Sequence, residues 1–111
     1  MSARKSSDWI KVERPPLFCP EAEFQNAVNK LAAKHGWLVY HTHNSRRSQP
    51  GFPDLVIVRG KEVIFAELKR ERGASVTIPQ QEWLDSLSEV EEIGVYLWRP
   101  SDWDYIVECI T

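Results

Sequence analysis

Gly51-Phe52-Pro53-Asp54-Leu55-Val56-Ile57-Val58-Arg59-Gly60-Lys61-Glu62-Val63-Ile64-Phe65-Ala66-Glu67-Leu68-Lys69 reads as two apolar runs joined by a tight turn, with an acid, a second acid and a lysine at the far end. A two-residue Gly60-Lys61 loop, glycine first, suits a type II′ hairpin turn, whose first central residue needs a positive φ. That loop sets the register. Val58 then faces Val63, Val56 faces Phe65, and Asp54 faces Glu67, with Lys69 one alternation further along the same face. Two carboxylates opposite one another repel, so a cation belongs between them. A hard divalent ion such as Mg²⁺ or Mn²⁺, gripped by one or two carboxylates and otherwise hydrated, is the best match.

The plainer alternative is an exposed Glu67–Lys69 pair of the ordinary surface kind, contributing about 0 to 1 kcal/mol. Against it stand the residues leading up to the charges. Val63 and Phe65 on one face and Ile64 and Ala66 on the other predict a strand buried on both sides, which puts Glu67 and Lys69 at the rim of a core.

Gly51-Phe52-Pro53-Asp54-Leu55, Ala66-Glu67-Leu68-Lys69 and Pro79-Gln80-Gln81-Glu82-Trp83-Leu84 together resemble the VRR-NUC branch of the PD-(D/E)xK nuclease superfamily. Upstream, Glu21-Ala22-Glu23-Phe24-Gln25-Asn26-Ala27-Val28 is similar to that family's first helix. The resemblance implies a restriction-endonuclease-like α/β sandwich: a mixed four-stranded sheet flanked by helices, in the order α-β-β-β-α-β-α. It also implies metal-dependent hydrolysis of DNA, with Asp54 and Glu67 holding Mg²⁺ or Mn²⁺, the Leu68 carbonyl adding a ligand, and Lys69 orienting the attacking water or stabilising the transition state. Glu21 is carried over as an outer acid, reaching a coordinated water or a second ion. Gln81 is carried over as a polar positioner at the border of the site, whereas Gln80 reads as a helix cap. Free-standing members of the family are similar to small Holliday-junction resolvases, which implies a homodimer acting on branched DNA.

The residues themselves choose between the two N-terminal acids. Glu21 has Phe24 three positions on and Val28 seven on, and so shares the inward side of the helix. Glu23 aligns instead with Asn26, Ala27 and Lys30. Either acid, however, suits a helix's first turn for reasons of the dipole alone.

With 111 residues, 42% of them hydrophobic, and five tryptophans, the chain has enough apolar surface for one core. Residues 1–19, interrupted by Pro15-Pro16, read as a loosely ordered arm or a loosely docked segment, and 20–111 as the folded domain. The first helix should run from about Glu21 to His35 and stop at Gly36, burying Phe24, Ala27, Val28 and Leu31. Trp37 to His41 is a strand. Thr77-Ile78-Pro79-Gln80 opens a second helix by a capping box, running to about Val90. Gly94 to Arg99 is a fourth strand, and Ser101-Asp102-Trp103-Asp104 should cap a short last helix.

The formal charge of −2 argues against a broadly cationic surface. DNA contact would fall to local clusters, Arg46-Arg47 and Arg70 with Arg72, which flank the hairpin. The two cysteines, Cys19 and Cys109, have no metal-type spacing and point to a reducing, cytoplasmic setting, and no segment has the length and apolarity of a membrane span. A non-catalytic nucleic-acid-binding module that keeps the fold is the alternative to an endonuclease. It has little use for facing carboxylates beside an anionic backbone.

Overall fold

The hairpin is the centre of the molecule. In the computed structural model, which describes residues 12–42 and 49–111, β2 (Leu55–Arg59) and β3 (Glu62–Leu68) pair antiparallel with Val56 opposite Phe65 and Val58 opposite Val63. Gly60 adopts φ +59 while Lys61 keeps a negative φ, as a type II′ turn requires. β1 (Leu38–His41) adds antiparallel to β2, and β4 (Gly94–Trp98) adds parallel to β3, giving the sheet order β1-β2-β3-β4.

Helix α1 (Glu21–Lys34) precedes β1, α2 (Ile78–Ser88) forms the crossover between β3 and β4, and α3 (Trp103–Ile110) ends the chain. Among the described residues, the expected α-β-β-β-α-β-α sandwich is therefore the observed architecture, a mixed four-stranded sheet flanked by three helices.

Period-2 alternation divides the sheet into two unequal faces. Leu55, Ile57, Ile64, Ala66, Leu68 and Trp98 point to one side, where Phe24, Val28, Leu31 and Ala32 of α1 and Trp103, Ile106 and Ile110 of α3 bury them. Arg59 ties the two helix ends together beneath this layer. Its guanidinium lies over the Trp37 ring and donates to the carbonyls of His35 and Ile110, a cation placed at two helix C-termini.

The opposite face carries Val56, Val58, Val63 and Phe65, all only half-buried. The expectation that β3 is buried on both sides thus holds only for its last residues, Ala66, Glu67 and Leu68. The reason is the size of the cover. α2 has 11 residues and seals one end of the face, through Trp83 stacked edge-on against Phe52, which in turn meets Phe65.

One other local expectation shifts. Helical structure starts upstream of a Ser101 cap, in a 3-10 turn at Pro100–Asp102 that precedes α3 and in which the Asp102 carboxylate accepts from the Arg99 N–H. Of the N-terminal arm, the described part from Val12 to Cys19 is docked: Pro15 and Cys19 are buried, Val12 packs on the core, and Arg14 pairs with Asp104. The earlier residues of the arm lie outside the described set. Among the described residues no helix is long and apolar enough to cross a membrane.

Candidate active site

Three devices bring the charged residues to the sealed end of the sheet. The first is the end of the hairpin ladder. Asp54 lies one residue beyond β2, where its backbone carbonyl accepts from Thr42 N–H at 2.7 Å and its carboxylate Oδ2 accepts from Leu68 N–H at 3.0 Å. The side chain thus replaces a backbone rung, which pins it across from Glu67. Pro53 before it is fully buried, and its carbonyl accepts from the Thr42 hydroxyl.

The second device is the strand itself. Glu67 is 2% exposed and Lys69 8% exposed, on the same face, with Lys69 Nζ 3.8 Å from Glu67 Oε2. The Lys69 N–H also donates to the Trp98 carbonyl, which extends the β3–β4 pairing past the strand's end.

The third device is the capping box of α2. The Thr77 hydroxyl accepts from Gln80 N–H, and Gln80 Oε1 accepts from Thr77 N–H. This fixes the Gln80 amide with its nitrogen pointing at the site, where Nε2 donates to Glu67 Oε2 at 2.8 Å. Gly51 makes the approach of α2 feasible. It sits at φ +88, and a Cβ there would lie 2.4 Å from the Pro79 carbonyl carbon and 2.7 Å from the Gln80 nitrogen. Only glycine allows the backbone before Asp54 to touch the start of the helix.

The electrostatics follow from this enclosure. Burial pushes the Glu67 carboxyl up to about 8, the Asp54 charge adds to the rise, and the Lys69 ammonium opposes it. Glu67 Oε2 is engaged by Gln80 and Lys69, whereas Glu67 Oε1 is buried with no hydrogen-bond partner. A buried oxygen in this state costs about 1 to 3 kcal/mol unless a proton or a cation is shared between it and Asp54.

The sequence-derived candidates divide into three groups. Asp54, Glu67, Leu68 and Lys69 are brought together. Gln81, named as the positioner, is exposed and donates to Asp85, while Gln80, read as a cap only, both caps the helix and holds Glu67. The signal for Gln80 was present in its chemistry, since a primary amide at the third helical position has an acceptor for the cap and a donor left over.

Glu21 is half-buried and Glu23 exposed, in line with their helical phases, and Glu23 lines an outer groove with Asn26, Ala27 and Lys30. No hydrogen bond or ion pair among the described residues links Glu21 to the hairpin acids. Arg70 and Arg72 flank the site, but Arg70 is spent on its own loop, donating to the carbonyls of Arg72 and Gly73. Arg46 and Arg47 lie outside the described residues. Among the described residues, no group of three or more His, Cys, Asp or Glu side chains is placed to hold a metal, so the site offers two carboxylates and backbone carbonyls.

No protein-family model matches the chain, and no curated protein sequence matches it. Its fold does have a counterpart among solved structures. One described as a "VRR_NUC domain protein" superimposes with a TM-score of 0.64 over 83% of this chain and 85% of its own, at 18% sequence identity. The chain therefore shares the fold of that VRR_NUC domain structure, at an identity that carries the likeness no further than the fold.

Proposed function

We propose that the chain is a divalent-metal-dependent endonuclease that hydrolyses phosphodiester bonds in DNA, with a preference for branched, flapped or four-way substrates. The observation that carries this reading is Glu67, buried to 2% beside a second carboxylate, with one oxygen unpartnered. Two carboxylates and an orphaned acceptor in a low-dielectric rim suit a hard cation, which would offset the burial and, after it, the Asp54 repulsion that drive the Glu67 carboxyl upward.

Asp54, Glu67 and the Leu68 carbonyl would hold Mg²⁺ or Mn²⁺. When bound, such an ion supplies Lewis acidity that polarises the phosphate and eases deprotonation of the attacking water. The remaining roles belong to the chain. Lys69 carries a positive charge at the site for the developing phosphorane charge and can orient the water. Gln80 holds Glu67 in one rotamer, so that no reorganisation is needed when substrate arrives. Glu21 is assigned the outer position on its helical phase and the family resemblance, and Gln81 contributes only if it leaves Asp85.

The branched-DNA preference and a two-fold dimer draw on the family resemblance and on size, since a domain this small embraces a branched duplex poorly alone. Of the five tryptophans, Trp9 lies outside the described residues; Trp37, Trp98 and Trp103 are buried and Trp83 is half-buried, so these four leave little surface for a dimer. Leu38 and Tyr40 on β1, 76% and 62% exposed, offer an apolar surface for it.

A binding module without catalysis takes its support from the count of only two clustered carboxylates among the described residues. One assay separates the readings: the purified chain with Mg²⁺ or Mn²⁺ against linear, flapped and four-way DNA, beside Asp54→Asn. Cleavage by the parent chain alone, fastest on branched DNA, supports the proposal. Binding without cleavage supports the module.

A further inference from the structure

The turn before α1 exposes two consecutive apolar side chains, one of them against the loop that follows Lys69. Cys19 N–H donates to the Pro16 carbonyl at 3.2 Å, closing a turn whose two central residues are Leu17 and Phe18, 44% and 60% exposed. Single exposed apolar residues need no explanation. This pair differs because its surroundings are fixed. Pro15 and Cys19 on either side are buried, and Pro20 opens α1 by accepting from the Glu23 and Phe24 N–H groups. The turn cannot fold its side chains inward without unseating those anchors.

A second rigid segment meets it. The Arg72 guanidinium lies 4.7 Å over the Phe18 ring. The loop that carries Arg72 is clamped at several points: Arg70 donates to the Arg72 and Gly73 carbonyls, Arg99 donates to the Arg70 and Ala74 carbonyls, and Glu71 accepts from Ser101 N–H. Among the described residues no hydrogen bond or ion pair uses the Arg72 guanidinium, so its N–H groups remain available to an anion while its face covers one side of the ring. Arg72 is three residues beyond Lys69, which limits the separation of their Cα atoms to about 10 Å.

We propose that Leu17, Phe18 and Arg72 form a base-stacking platform, which receives an unpaired nucleotide of the DNA strand whose phosphate lies at Asp54 and Glu67. This rests on the DNA-cleaving reading and narrows it to substrates with a single-stranded segment beside the scissile bond. An exposed aromatic ring accepts the face of any base, so the platform is indifferent to sequence. Its cation neutralises the adjoining phosphate and polarises the ring's other face. A fully paired duplex keeps its bases stacked on one another and gains only the phosphate contact. The platform therefore selects flapped or frayed DNA over linear duplex, without a single base-edge contact.

The test compares the chain with its Phe18→Ala and Phe18→Trp variants in chelator. Fluorescence anisotropy reads binding to a 20-nucleotide single strand, a 5′ flap, a 3′ flap and a blunt duplex of matched length, and 2-aminopurine placed near the junction reports stacking. Phe18→Ala should lower the preference for the single strand and for one flap polarity over duplex by about tenfold, the scale of one lost stacking contact. It should also remove the quenching of 2-aminopurine. Phe18→Trp should restore both, and circular dichroism should show all three chains folded, because the ring is on the surface.

An equal loss on every DNA, an unchanged preference, or quenching that persists in Phe18→Ala would overturn the platform, as would a change of oligomeric state in light scattering with no effect on DNA, which would assign the patch to contact between copies. Cleavage in Mg²⁺ is scored separately. A chain that cleaves but ignores Phe18 refutes the platform alone, and one that binds flaps through Phe18 yet never cleaves refutes only the endonuclease. A parent chain that binds none of the four probes refutes both.

Discussion

At the scale of single residues, Glu67 pays in stability for its position. Its carboxyl is raised from an ordinary 4.5 to about 8 by burial first and by Asp54 second. Between those two values the folded chain holds a proton that the unfolded chain has released, so stability is highest below the lower value and falls as pH rises toward the upper one. In chelator, denaturant unfolding should therefore show a decline of a few kcal/mol between about pH 4.5 and pH 8. Glu67→Gln should flatten that slope and leave the neutral-pH protein more stable, and Asp54→Asn should do so in part. A Glu67→Gln profile as steep as the parent's would contradict the assignment. The two glutamines make a second contrast. Gln80→Ala removes half of a capping box and the Glu67 contact and should cost about 1 to 2 kcal/mol together with a large loss of cleavage. Gln81→Ala should stay within about 0.5 kcal/mol and retain cleavage. The reverse order would restore Gln81 as the positioner.

At the scale of elements, the hairpin was legible from the sequence because two independent constraints agreed. A glycine-first two-residue loop fixes the register, and the period of a strand then carries it unchanged to Asp54 and Glu67. Helix α1 was equally readable from its apolar stripe and Gly36. Contacts between elements were not. Nothing local says that α2 packs against the backbone of Gly51, and this contact, rather than helix phase, decides whether Gln80 or Gln81 reaches the acid. Residue 80 differs from residue 81 by about 100° on a helix, a difference that only the docking of the helix can resolve. The start of the last helix was misplaced for a similar reason, since Pro100 begins a 3-10 turn that moves the cap upstream. Gly51 supplies the test at this scale. Gly51→Ala meets backbone at 2.4 Å and a positive φ, and should cost more than about 2 kcal/mol and most of the activity. Gly60→Ala also carries a positive φ but meets nothing within 4 Å, so it should cost only about 1 to 2 kcal/mol and spare activity. Equal losses in thermal melts and cleavage rates would mean that α2 is not positioned through Gly51.

At the scale of the whole molecule, a chain with net charge −2 must bind an anionic polymer through a few placed cations. With Arg70 held by its own loop, the arginines left of the four singled out for DNA contact are Arg46, Arg47 and Arg72. Binding should fall with salt at a logarithmic slope of about −3, and each of Arg46→Ala and Arg47→Ala should reduce that slope by about 1. A slope near −8 would require a cationic track that this composition does not provide.

The fold, the facing acids, the orphaned Glu67 oxygen and the amide that steadies its partner all converge on one claim, that Asp54 and Glu67 form a cation-dependent hydrolytic centre. Single-turnover cleavage of flapped DNA at saturating Mn²⁺, for the parent chain and for Glu67→Gln, tests it most directly. The account predicts metal-dependent cleavage by the parent, abolished by chelator, and a rate at least about a hundredfold lower for a Glu67→Gln chain that melts no earlier than the parent. Cleavage by Glu67→Gln at the parent's rate, or cleavage that persists in chelator, would contradict it.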